Sequence, residues 1–116
     1  MLDLKGLKDH PEILVQVDWE ITPRQAFEAY QIKSRESWKQ RGLPQVYYFY
    51  LSLWKGETQI ILMKRGYVES EEIARLDPPA DLAAQCVAQC EGEQMPRGQC
   101  ALNEPLKKWL RSELGL

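Results

Sequence analysis

The chain predicts an α+β fold: a small three-stranded antiparallel sheet in β-α-β-β order, with two or three C-terminal helices packed on it. Three observations carry that expectation. Two apolar runs, Val46–Trp54 and Glu57–Lys64, flank the two-residue connection Lys55-Gly56, which reads as a β-hairpin. The segment after Gly66 is acidic and helix-prone, and a length of 116 residues suits one domain, here residues 1 to 116, rather than two independent cores.

Taken in order, residues 12 to 19 alternate, with Ile13, Val15, Val17 and Trp19 on one side and Leu14, Gln16 and Asp18 on the other. This is the pattern of a half-buried strand. Thr22 then offers a capping hydroxyl, Pro23 stands where its missing N–H is harmless, and Gln25 can close a capping box. A helix begins there, with Phe27, Tyr30 and Trp38 on one stripe, and Gly42 and Pro44 as the stop. Residues 23 to 41 form one helix, or two if Ser34 caps a second.

A two-residue hairpin turn places Trp54 opposite Glu57 and continues as Leu51 with Ile60, Phe49 with Leu62 and Tyr48 with Met63. One face then carries Tyr47, Phe49, Leu51, Leu53, Ile60 and Leu62, a core face. The other carries Tyr48, Tyr50, Ser52, Trp54, Gln59, Ile61 and Met63. Because that second face is aromatic too, something must cover it. Ser70 to Leu76 reads as a short helical run, and Pro78-Pro79 opens a helix whose Leu82, Ala83, Cys86 and Cys90 share a face. Asn103 caps a last helix with Leu106, Trp109, Leu110 and Leu114 in a stripe, stopped by Gly115. The most economical sheet places the last hairpin strand in the middle, between the N-terminal strand and its hairpin partner.

Composition excludes several classes. Hydrophobic residues make up 44% and charged residues 28%, which argues for a folded chain and against disorder or a coiled coil. No apolar stretch reaches the length of a membrane span, and the first residues lack the pattern of an export signal, so the expected location is cytoplasmic. Three cysteines at low density suit reduced thiols.

The net charge of −2 is unevenly spread. Residues 21 to 66 carry eight basic and three acidic side chains, and residues 67 to 116 carry five and nine. Eight of the eleven aromatic rings fall in the basic middle, which puts charge and stacking surface together.

Candidate sites follow from these patterns. Cys86 and Cys90, one helical turn apart, with Cys100 beyond, could hold a metal or form a redox pair, with Cys90 to Cys100 as the disulfide. The favoured reading makes Cys86 and Cys90 small apolar residues on a buried helix face. His10 reads as an exposed turn residue, and Glu69, Glu71 and Glu72 as acids favoured at a helix start. No catalytic constellation and no cofactor motif is found, so the expectation is a non-enzymatic module without cofactors or metal.

Two partner classes remain. Arg35, Lys39, Arg41, Lys55 and Lys64 would serve nucleic acid, where a strand, two helices and a basic hairpin would resemble a winged-helix core, or where Tyr48, Tyr50 and Trp54 would stack single-stranded bases. A slightly acidic whole weighs against this. The favoured reading is a protein partner or a second copy, met by Tyr48, Tyr50, Trp54 and Met63 on an under-shielded second sheet face. Membrane association is not expected.

Overall fold

The structure is a computed structural model that describes residues 1–30, 44–66, 70–90 and 97–116. Among the described residues the helices are α1 (Leu4–Lys8), α2 (Pro11–Leu14), α3 (Pro23–Tyr30), α4 (Ala80–Cys90) and α5 (Glu104–Leu114). The strands are β1 (Val46–Trp54), β2 (Glu57–Arg65), β3 (Ser70–Leu76) and β4 (Gln99–Cys100). The fold is α+β, and the antiparallel sheet has four strands in the order β3-β2-β1-β4, one more than the sequence suggests.

The β1–β2 hairpin sits at the centre and has the expected register throughout, including Trp54 with Glu57, Leu51 with Ile60 and Tyr48 with Met63. Lys55 and Gly56 both adopt positive φ, 51° and 78°, the signature of the type I′ turn whose twist matches the strands. Gly56 has open space around it, so its role is conformational rather than steric.

Two expected elements are corrected. Residues 12 to 19 are not a strand: Pro11 starts the single turn of α2, and their pairing with the sheet is limited to the isolated parallel bridge of Val17 to Tyr47. The burial follows, since Leu14 is buried and Val15 is exposed, opposite to the alternation. Ser70 to Leu76 is strand rather than helix, paired antiparallel with β2. Glu, Ala, Arg and Leu favour helix locally, but pairing with a central strand outweighs a propensity difference of a few tenths of a kcal/mol per residue, about 0.7 at most. A register shift beside Leu62 and Met63 also interrupts the alternation that would mark a strand. The sheet order is corrected with them: β2 has two neighbours as expected, but the second is β3 rather than an N-terminal strand, and β1, expected at an edge, pairs with β4.

The helix predictions at Pro23, Pro78-Pro79 and Asn103 agree with α3, α4 and α5. Thr22 and Gln25 form the capping box, each side chain accepting the other residue's backbone N–H at 3.0–3.1 Å. Asn103 caps α5 by accepting from the Leu106 N–H at 3.1 Å, and Gly115 ends it in the left-handed region. Whether residues 23 to 41 make one helix or two lies outside the described residues.

One face of the sheet builds the main core, where Phe49, Leu51, Ile60, Leu62, Ala74 and Leu76 meet buried leucines of α1, α2 and α5. Trp19 joins it between two partners, stacked on Phe49 at 5.1 Å and covered by the Arg111 guanidinium at 4.8 Å. The other face carries a smaller buried cluster of Ala26 from α3 with Tyr48, Tyr50 and Ile61.

Leu62→Ala should lower unfolding free energy by about 2–5 kcal/mol, since it opens a cavity in the centre of the main core. Asn103→Ala should cost about 1 kcal/mol through loss of the α5 cap. Urea denaturation of both variants checks the ranking.

Candidate functional site

Each proposed recognition residue can now be placed. Tyr48 is fully buried and Tyr50 is 4% exposed, so the rings expected to form an open surface belong to the second core. This corrects the expectation of an under-shielded face. Met63 is half-buried against the same cluster, and of the four partner-binding candidates only Trp54 is exposed, at 68%.

Burial leaves a chemical mark on the tyrosines. Desolvation pushes the Tyr50 phenol up to about 12, reinforced by the negative charge of Glu72 and partly offset by Arg75. Desolvation also raises Tyr48, while the Arg65 guanidinium beside it pulls the other way. The Tyr30 phenol, which donates to the Pro44 carbonyl, is raised by burial and then by Asp18. These groups are structural phenols held neutral.

The second face closes at its rim with polar contacts. Arg75 pairs with Glu72 at 2.9 Å and donates to Gln59 at 2.6 Å, and Gln59 donates to Asp77 at 3.2 Å. Glu71 and Glu72, expected at a helix start, therefore lie on β3, with Glu71 opposite Lys64. Glu69 lies outside the described residues.

The basic residues divide in the same way. Lys55 lies over the Trp54 ring at 5.7 Å and Lys64 over the Tyr47 ring at 5.8 Å, so both cations already have an aromatic neighbour within the chain. Arg35, Lys39 and Arg41 lie outside the described residues, as does the second helix on which a winged-helix reading would depend.

The sheet edges are partly occupied. On β3, Leu2 donates to the Ile73 carbonyl and accepts from the Arg75 N–H, both at 3.0 Å. On β1, Asp18 donates to the Tyr47 carbonyl at 2.8 Å near one end, and β4 pairs with Leu51 and Ser52 near the other. The Leu53 N–H donates to Gly98 O at 2.8 Å, which brings the turn before β4 against the end of β1. The exposed Arg97 precedes it.

The cysteines are the largest departure from expectation. Cys90 at the end of α4 is joined to Cys100 on β4 by a disulfide with a Cα separation of 5.8 Å. The favoured reading of reduced thiols is overturned for this pair, while its placement of Cys86 and Cys90 on a buried helix face holds. Cys86 remains a free, buried thiol whose Sγ donates to the Ala101 carbonyl at 3.3 Å. Desolvation raises its pKa, partly offset by the Asn103 backbone. Among the described residues no three His, Cys, Asp or Glu side chains gather as a metal-binding group.

Beside the cysteines lies a cleft of about 420 Å³, walled by Thr22 and Arg24 of the α3 start, Cys86 and Cys90 of α4, and Gln99 and Asn103. It is the feature that spacing along the chain does not reveal, because it forms where three separate segments meet. His10 sits at the surface, 2.7 Å from Glu12, and that contact lowers the Glu12 carboxyl pKa.

Fold and site being an α+β sheet with a disulfide-anchored edge and a projecting aromatic tip, comparison with protein-family models, curated proteins and solved structures finds no match. Among the described residues no helix is long and apolar enough to cross a membrane.

Two outcomes follow. Cys100→Ala should lose about 2–3 kcal/mol of stability, the loop-closure contribution of a short disulfide loop, and the same loss should appear in wild type under reducing agent. For the phenols the sign is fixed by the raised folded-state value: the Tyr50 contribution is complete below the unfolded value of about 10 and is lost as pH rises through about 12. A phenolate absorbance titration should show Tyr50 missing from the rise near pH 10, with Tyr30 and Tyr48 shifted to its alkaline side. Titration of all three within that rise would place these rings in water.

Proposed function

We propose that the protein is a non-enzymatic binding module with a protein partner, and that its contact point is the hairpin tip rather than the sheet face. The observation that carries this reading is the Trp54 ring, 68% exposed, at the end of a ribbon whose other large aromatic side chains are buried or half-buried. An aromatic ring on a rigid support is the kind of side chain that anchors protein interfaces, because it brings large contact area at low entropic cost.

The tip has a defined chemistry. Lys55 covers one side of the ring, Glu57 stands opposite Trp54 across the turn, and Arg97 lies in the adjoining segment. One apolar ring with two cations and one acid suits a partner surface that offers an apolar pocket with acidic neighbours. Partial cover on both sheet edges disfavours recognition by strand addition. The cytoplasmic expectation is weakened by the Cys90–Cys100 bond, since cytosolic thiols are kept reduced.

Trp54→Ala should change stability by less than about 0.5 kcal/mol, as an exposed substitution, while removing the contact point. Installing a photo-crosslinking phenylalanine analogue at position 54, and at exposed Glu28 as control, tests the reading in cells of the source organism. Discrete protein adducts at 54 that are absent at 28 support it, and a self-adduct identifies the partner as a second copy. Equal yields at both positions defeat it, and nuclease-sensitive adducts transfer the site to nucleic acid.

A further inference from the structure

The three cysteines are not equivalent, and their placement suggests chemistry beyond a static cross-link. Cys86 and Cys90 lie one helical turn apart on the buried side of α4. Cys90 is bonded to Cys100, and the Cys86 thiol donates to the carbonyl of Ala101, the residue that follows Cys100. The free thiol is therefore held against the short segment that carries one sulfur of the disulfide. Cys86 and Cys90 also line the 420 Å³ cleft, which gives that region contact with solvent.

From this arrangement we infer that Cys86 is an exchange partner for the disulfide, so that β4 can be tied to α4 at either of two positions one turn apart. In the step, the Cys86 thiolate attacks Cys100 Sγ. A Cys86–Cys100 bond forms, the Cys90–Cys100 bond breaks, and the electron pair leaves on Cys90 Sγ. Water removes the Cys86 proton and returns one to Cys90, so one disulfide and one thiol exist before and after, and no external oxidant or reductant is consumed. Attack on Cys90 Sγ is the poorer route, because neighbouring side chains on one helix face project side by side rather than toward each other.

The exchange has a functional result. It moves the free thiol along the cleft wall from Cys86, 1% exposed, to Cys90, 7% exposed, where a low-molecular-weight disulfide entering the cleft can meet it. Such a disulfide would be split by the Cys90 thiolate into a mixed disulfide and one released thiol. The thiolate is the reacting form, and burial raises the Cys86 pKa, so the exchange should be slow near neutrality and accelerate by about tenfold per pH unit in mild alkali.

Disulfide mapping by mass spectrometry tests this on the oxidised full chain, held at pH 7 to 9, quenched in acid and alkylated. Two populations are expected, Cys90–Cys100 with Cys86 alkylated and Cys86–Cys100 with Cys90 alkylated, the second growing faster at higher pH. Cys90→Ser, placed in the same glutathione buffer that oxidises wild type, should form Cys86–Cys100. Addition of glutathione disulfide to wild type should place glutathione on Cys90. Scrambling through unfolded chains would instead enrich Cys86–Cys90, the pair nearest in sequence. Alkylation confined to Cys86 at every pH, or a preponderance of Cys86–Cys90, would overturn the proposal.

Discussion

The structure depends on the β1–β2 ribbon being buried on both faces at once. Its type I′ turn sets the register, and the register assigns Phe49, Leu51, Ile60 and Leu62 to one core and Tyr48, Tyr50 and Ile61 to the other. Because side chains alternate with a period of two, a slip of one residue would exchange the contents of the two cores. The large phenol rings of Tyr48 and Tyr50 would then enter a layer packed for leucine and isoleucine. Gly56 and its left-handed neighbour Lys55 therefore govern more than the turn, since every layer above and below the sheet is shaped to the register they impose.

Double-sided burial also explains why the aromatic second face suggests recognition when read from sequence. A tyrosine carries a polar tip on an apolar body, so a run such as Tyr47-Tyr48-Phe49-Tyr50 fits an exposed stacking platform and a covered sheet equally well. Sequence separates the two faces but does not reveal what lies on each. The cover comes from residues distant along the chain, Ala26 and Ile21 among them, and neither has a pattern that announces its target. The cost of that burial is visible at Tyr50, where the raised pKa measures how strongly the surroundings reject a phenolate.

The legible parts of the fold share a property: their signals are local and agree with one another. The hairpin has its turn glycine and its two apolar runs, α3 has Thr22 and Gln25, and α5 has Asn103, a leucine stripe and Gly115. The illegible parts are those in which a partner decides. In β3, the segment Glu71-Glu72-Ile73-Ala74-Arg75-Leu76 has helical residue preferences, yet Ala74 and Leu76 are drawn down into the main core by pairing with β2. Residues 12 to 19 show the reverse. Their alternation is real in sequence, but Pro11 nucleates a turn and Leu14 packs inward into the main core, with α2 set against α1. Spacing among the cysteines offers Cys90–Cys100 as one alternative but does not select it, because that bond depends on where β4 lies beside β1.

That position of β4 connects the cross-link with the exposed tip. Two residues with ladder contacts only at Leu51 and Ser52 are too few to hold a strand at a sheet edge unaided, since a short pairing gains little against the entropy of ordering it. The disulfide supplies the missing constraint by fixing Cys100 to the end of α4, and the Leu53 to Gly98 hydrogen bond extends the fixed segment to the residue before Trp54. Gly98 suits this contact for two reasons. Its φ is 81°, and a Cβ there would lie 3.2 Å from the Leu53 carbonyl oxygen, tighter than backbone allows without adjustment. The exposed ring is thus carried on a ribbon end braced from the side, so the orientation of Trp54 is set by covalent and backbone contacts that leave its outer surface open.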